Sequence, residues 1–134
     1  MGFNSRLLYK IEEEVSMDDD VWFWVDGKCN ADKGKGQWFQ AVATKAQEEI
    51  TKHQGFHDPR ASYIVEINFH FIRPKSVKSD QHLVKPDLTR LEITTLKALE
   101  HILFPDVKQV TEVHTRKVYT NKDGALISVH GKVR

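Results

Sequence analysis

Apolar positions along this chain change period from one segment to the next, and the period names the element. Tyr63, Val65, Ile67, Phe69 and Phe71 alternate with Glu66, Asn68 and His70, the two-residue repeat of a half-buried strand, and predict a strand from Tyr63 to Ile72. Val21-Trp22-Phe23-Trp24-Val25 is instead continuously β-branched and aromatic, which predicts a strand buried on both faces and closed by Asp26-Gly27. Trp38, Phe39, Val42, Ala43, Ala46 and Ile50 recur at helical spacing and predict a helix that stops near Gly55. Leu88, Leu91, Thr95, Leu99, Ile102 and Leu103 predict a second helix, ended by Pro105. Leu7, Leu8, Ile11 and Val15 fit a short amphipathic helix that runs into an acidic stretch at Asp18. Val110 to Tyr119 and Ala125 to Val129 read as two strands joined in a hairpin through Asn121-Lys122-Asp123-Gly124, where the Asp-Gly pair supplies the positive-φ residue.

The expected order is strand, helix, strand, helix, strand, strand. It describes an α/β (α+β) domain, a mixed sheet of about four strands covered by two main helices, with a short N-terminal extension. Two connections stand out from this frame. Residues 28–36 form a polar, glycine-bearing loop with Lys28, Lys33 and Lys35, whose spacing fits neither common nucleotide-binding fingerprint and which reads as a basic loop able to touch phosphates. Residues 73–86 carry Arg73, Lys75, Lys78 and Lys85 among prolines and serines, and their length favours a functional loop over a passive link.

Composition changes this picture little, and charge distribution changes it more. A chain of 134 residues, 40% hydrophobic and 29% charged, suits one soluble domain. No apolar run approaches a membrane span and no signal peptide opens the chain, so no membrane association is expected. The single cysteine, Cys29, rules out an intramolecular disulfide and suits a reducing, cytoplasmic setting. The overall charge of +1 hides an asymmetry: residues 1–20 hold two basic and six acidic side chains, whereas Pro59 onward holds 13 basic and 8 acidic. Such a split points to a polyanion for the C-terminal part, against the plainer reading of an ordinary solvated surface.

Candidate chemistry concentrates in that basic part. Lys85-Pro86-Asp87-Leu88-Thr89-Arg90-Leu91 and Pro105-Asp106-Val107-Lys108-Gln109-Val110 place a carboxylate at each end of the second helix. Asp87 reads either as a metal-ligating carboxylate or as a helix N-cap, and Asp106 either as its partner or as a turn residue. Glu92, one helical turn from Thr89, could approach the same site. His82 and His114 lack the i, i+4 spacing and the cysteine partners of a zinc site. Trp22, Trp24, Trp38 and Phe39 are suited either to stacking bases or to filling the core.

The order of elements together with these motifs resembles the RusA family of Holliday-junction resolvases. In that family a strand leads through a basic, proline-bearing loop to Lys-Pro-Asp-x-Asp-Asn-Leu, a helix, and Asp-Asp-x-Gln-Val opening a strand that ends in a lysine. The corresponding run here is Phe71-Ile72-Arg73-Pro74-Lys75-Ser76, His82, Lys85-Pro86-Asp87-Leu88-Thr89-Arg90-Leu91, then Asp106-Val107-Lys108-Gln109-Val110 and a strand with Lys117 and Tyr119. Asp26-Gly27-Lys28 is similar to the glycine turn after the family's first strand. The resemblance spans roughly residues 21–130, and divides the chain into an acidic N-terminal extension, 1–20, and a RusA-like domain, 21–134.

The resemblance implies a homodimeric endodeoxyribonuclease of DNA recombination and repair, of phage or mobile-element type. Such a protein cuts branched DNA with Mg²⁺ (or Mn²⁺) held by aspartates, and needs no small-molecule cofactor. Carried over by position, it implies Asp87 and Asp106 as catalytic and metal-binding residues, and the cations of this region, Lys75, Lys78, Lys85, Arg90, Lys97 and Lys117, are the expected DNA-binding residues. The match departs from the family where ligands should stand. Thr89 replaces the second aspartate of the motif, Arg90 the asparagine, Ile93 the helix lysine, Lys97 a helix aspartate, and Val107 the second of the paired aspartates. Those substitutions remove carboxylates and add cations, so the alternative expectation is an inactive RusA-like module that binds DNA structures or another protein.

Overall fold

The computed structural model describes residues 18–31 and 36–133. Six main elements follow one another: β1 (Asp18–Asp26), α1 (Gln37–Ile50), β2 (Ser62–Ile72), α2 (Leu88–Leu99), β3 (Val110–Thr120) and β4 (Gly124–Lys132), with a single 3-10 turn at Val107–Gln109. The four strands form one mixed sheet in the order β1-β4-β2-β3. β4 runs antiparallel to both β1 and β2, while β2 and β3 are parallel and joined through α2. The expected mixed α+β sheet with two main helices is therefore the architecture observed.

Strand periodicity decides which face is covered. Tyr63, Val65, Ile67, Phe69 and Phe71 of β2 are buried, as are Val21, Phe23 and Val25 of β1 and Ala125, Ile127 and Val129 of β4. They meet Trp38, Val42 and Ala46 of α1 and Leu91, Ala98 and Leu99 of α2 in one core cluster. Two polar contacts fix this layer: the Trp38 indole donates to Thr95 Oγ1 at 3.0 Å, and the Tyr63 hydroxyl donates to the Phe56 carbonyl at 2.5 Å. A buried N–H or O–H without a partner would cost about 1–3 kcal/mol, so the first bond sets α1 against α2 and the second ties the loop after α1 to β2.

The opposite face of the sheet carries no helix among the described residues. β1 accordingly corrects the expectation of burial on both sides: Val21, Phe23 and Val25 point inward, but Trp22 is 68% exposed and Trp24 half-buried. The continuous apolar run conceals an ordinary alternation, because indoles occupy the outward positions. Trp24 lies edge-on to His70, ring centroids 5.1 Å apart. This open face also bears Asp18, Asp20, Asp26, Glu66 and Glu112 against Arg116 and Lys132. Its acidic excess repels a phosphate backbone.

Two further expectations change, and one falls outside the described residues. β1 begins at Asp18, so Asp18–Asp20 belong to the sheet, where His130 sits between Asp18 (2.9 Å) and Asp20 (2.8 Å) and His53 meets Asp19 (3.1 Å). The helix expected at Leu7, Leu8, Ile11 and Val15 lies outside the described residues, as do Lys33 and Lys35. The second helix ends at Leu99 rather than near Pro105: Glu100 leaves helical geometry and His101 takes φ 71°, which turns Leu103 and Phe104 into the core. Apolar spacing continued past the helix because the core itself continues there.

The expected β3–β4 hairpin is not formed. The two strands lie on either side of β2, and residues 121–123 carry the chain over the end of that strand, where Asp123 Oδ1 accepts from the Ile72 amide at 2.9 Å. An Asp-Gly turn signals a tight reversal but does not say which strand receives the returning chain. Burial decides it: β4 contributes three fully buried side chains and takes an interior place, while β3 presents Glu112, His114 and Arg116 on an edge. Gly124 sits so close to β1 that an added Cβ would overlap the Trp24 ring and lie 2.5 Å from the Val25 carbonyl oxygen. Gly124→Ala is expected to lower unfolding free energy by about 1–3 kcal/mol in urea titration, by overpacking this contact.

Candidate nucleic-acid interface

At the C-terminal ends of the parallel strands β2 and β3, the loop of residues 73–86 folds back on the sheet before α2 begins. Two anchors hold it. His82 is buried, its ring 4.1 Å from the Phe71 ring and 5.0 Å from that of Tyr119 by centroids. Two residues earlier on β3, Lys117 donates from Nζ to the carbonyl oxygens of Val84 at 2.9 Å and Pro86 at 3.0 Å. The Lys85–Pro86 peptide between them is cis. Lys117, one of the expected DNA contacts, instead directs its ammonium at the loop backbone. Partial burial pushes the Lys117 pKa down, and the Asp87 charge opposes that shift.

Asp87 occupies the N-cap position of α2 through its backbone, its carbonyl accepting from the Leu91 amide at 3.0 Å. Its carboxylate makes no capping bond and lies 3.8 Å from Arg90 Nε on the exposed surface. The side chain is thus left facing solvent rather than satisfying the helix end, so the plain N-cap reading accounts for the backbone only. Beside it opens a cleft of about 390 Å³ lined by Lys28, Cys29, Asn30, Ala31, Lys85, Pro86, Asp87 and Arg90. The chain just after β1 therefore meets the start of α2, a juxtaposition that the sequence separates by nearly sixty positions.

Within this cleft Cys29 is inert. Its thiol is buried and donates to the Gly124 carbonyl at 3.1 Å, and burial pushes its pKa up to about 12. Among the described residues, Lys28, Lys85 and Arg90 give the rim three cations against the one carboxylate of Asp87. Arg90 and Lys97 stand seven residues apart on α2, so they share one exposed helix face about 10 Å apart along the axis, with Ile93, also exposed, between them. Lys75 and Lys78 lie exposed on the loop that leads to the cleft. Five of the six expected DNA-binding residues thus remain available at the surface.

The two carboxylates expected to act together are not brought together. Asp106 precedes β3, whose first residue, Val110, is in register with Tyr63, while Asp87 adjoins the loop held by Lys117, in register with Phe69. Seven strand residues separate those levels, roughly 20 Å along the sheet. Asp106 is also engaged locally, Oδ1 accepting from the Lys108 amide at 2.8 Å as the cap of the 3-10 turn. Its turn-residue reading holds. Glu92, a conceivable substitute, accepts from Thr115 Oγ1 at 3.0 Å. His82 and His114 are on opposite faces of the sheet, the first buried and the second exposed beside Glu112.

Among the described residues no three His, Cys, Asp or Glu side chains converge to hold a metal ion. Mg²⁺ binds through one or two carboxylates plus phosphate oxygens, and Asp87 alone, paired with an arginine, is a poor first ligand. Among the described residues of one chain, Asp87 is therefore the single carboxylate at the cleft that could take part in holding the metal that the resemblance implies. What the arrangement does offer is a basic cleft at the mouth of a parallel strand pair, rimmed by lysine and arginine side chains.

The fold is a small α+β domain, a four-stranded mixed sheet under two helices, with exposed cations gathered at this strand end. The family model for endodeoxyribonuclease RusA matches residues 25–130, so this chain belongs to the RusA endodeoxyribonuclease family. No curated protein matches the chain. The family match covers β1's end, the cleft, both helices and most of β4, all the parts that form the site.

Two outcomes test the anchors. Lys117→Met should accelerate thermolysin cleavage between Leu83 and Val84 while leaving far-UV circular dichroism unchanged, because the clamp holds loop backbone rather than core. The His82 pKa is pushed down, first by burial and then by the nearby Lys117 charge. Its sign follows: the folded protein keeps this imidazole neutral, so the stabilisation is present above the unfolded-state value near 6.5 and is lost as pH falls from there through the depressed folded value. Urea midpoints at pH 7.5 and pH 5 should therefore differ, and His82→Phe should shrink that difference.

Proposed function

We propose that this chain acts on branched DNA, four-way junctions in particular, as a RusA-type protein of recombination and repair, and that the cleft beside Asp87 receives the sugar–phosphate backbone. The observation that carries the reading is the convergence of Lys28, Lys85 and Arg90 around that cleft in a chain of this family. Lysine and arginine side chains that neutralise phosphates release counterions, so binding of this kind is strongest at low salt. The open sheet face, with its acidic excess, leaves the strand-end cleft and the exposed α2 face as the surfaces that suit DNA.

Cleavage is the second part of the proposal. A phosphodiesterase of this family draws on a divalent metal, which supplies an activated water and charge stabilisation on the departing oxygen. Asp87 is the carboxylate placed at the cleft, and Asp106 would join it only from a second copy, since one chain holds the two roughly 20 Å apart. That is the structural argument for a homodimer as the working form. A binding module without hydrolysis is the second reading, and it is favoured by one observation: Asp106 and Glu92 each already engage one carboxylate oxygen with a neighbour within the chain.

Labelled four-way junctions separate the readings. Under the enzyme reading, Mg²⁺ or Mn²⁺ gives paired incisions that disappear in Asp87→Asn; under the module reading, junctions are bound and stay whole with either ion. In both, Lys85→Gln should weaken junction affinity, and the slope of log K against log salt should fall by about 1 as one phosphate contact is removed. Unchanged affinity and slope in this variant would remove the cleft from the interface.

A further inference from the structure

Leu83 and Val84 are the anomaly of the loop: adjacent large apolar side chains, 74% and 53% exposed, in a stretch otherwise rich in cations. Each leaves about 1.5–3 kcal/mol of possible burial unused, so an unconstrained loop would turn at least one of them inward. Here the backbone has no such freedom. His82, directly before the pair, is wedged between Phe71 and Tyr119, and Lys117 grips the carbonyls of Val84 and Pro86 directly after. Bracing on both sides holds the two side chains outward. The tip adjoins Lys85 at the cleft rim, and the loop's acidic residues are each matched to an arginine, Asp80 to Arg73 at 3.3 Å and Asp87 to Arg90 at 3.8 Å. Its lysines carry the surplus charge.

We propose that Leu83 and Val84 form a braced apolar wedge that enters between base pairs at the branch point of the DNA whose backbone lies in the cleft. This rests on the reading of the chain as a branched-DNA binder and deepens it. Apolar side chains inserted at a base step pay for unstacking with new apolar contact, and that cost is least where stacking is already interrupted. Charge complementarity selects this occupant. Lysines flanking an apolar tip seat phosphates on either side of it, whereas an apolar protein partner would gain nothing from them. Rigid support matters for the same reason, since a floppy tip would lose on ordering much of what insertion provides.

The test uses a four-way junction carrying 2-aminopurine at the branch point, in EDTA so that no strand is cut. Wild-type protein is expected to raise the fluorescence as the base unstacks. The double variant Leu83→Ser/Val84→Ser, altered only at exposed positions, should bind with an unchanged salt slope and lose that rise. Lys85→Gln should show the reverse, a weaker complex and a smaller slope with the rise retained at saturation. A rise that persists in the double variant, or its absence from a saturated wild-type complex, overturns the wedge and leaves the cleft reading standing. Failure of wild-type protein to bind the junction at low salt overturns both.

Discussion

Everything at the cleft end of this molecule depends on one face of a four-stranded sheet being buried under two helices. Tyr63, Val65, Ile67, Phe69 and Phe71 supply the middle of that face, and all five are buried. At about 25 cal/mol for each Å² of apolar surface removed from water, a row of such side chains outweighs any polar contact in the domain. The row fixes the register of β3 and thereby the height at which Lys117 and Tyr119 emerge beside the strand end. The loop anchors, the start of α2 and the cleft follow from that height.

The same constraint explains how the site differs from the one the motif suggests. A helix that connects two parallel strands runs back along them, so its ends lie at opposite ends of the sheet. Carboxylates placed just before and just after α2 are consequently far apart in one chain, however close the motif makes them look. Their local surroundings then diverge. Asp87 keeps an exposed carboxylate beside cations, while Asp106 closes a tight turn. What remains at the cleft, among the described residues, is a basic rim with one acidic group, and the loop above it is stiffened by a buried histidine and a lysine clamp.

Charge placement completes the division of labour. Asp18, Asp19 and Asp20 of β1 gather with His130 and His53 at one end of the sheet, and the open face stays acidic overall. The basic residues of the 73–90 stretch gather at the other end of β2. A chain of nearly neutral total charge thereby presents distinct surfaces to a polyanion, one that attracts and one that repels.

Local pattern was enough for the elements themselves: the alternation of β2, the helical spacing of α1 and α2, and the order that points to a RusA-type fold were all legible in the residues. So were the cations at Lys85 and Arg90 and the turn role of Asp106. Other features came only with the tertiary structure. β4 was placed between β1 and β2 by competition for burial among strands, which no turn signal encodes. The outward indoles of β1 were hidden because a Trp at an exposed position looks the same in sequence as one in the core. Lys117 reads as a phosphate contact until the loop is seen folded onto it, and Leu83-Val84 reads as an unremarkable apolar pair until both flanks are seen held. Periodicity records what each segment does with its own neighbours, whereas anchors, clefts and separations depend on residues dozens of positions apart, whose meeting is settled by packing alone.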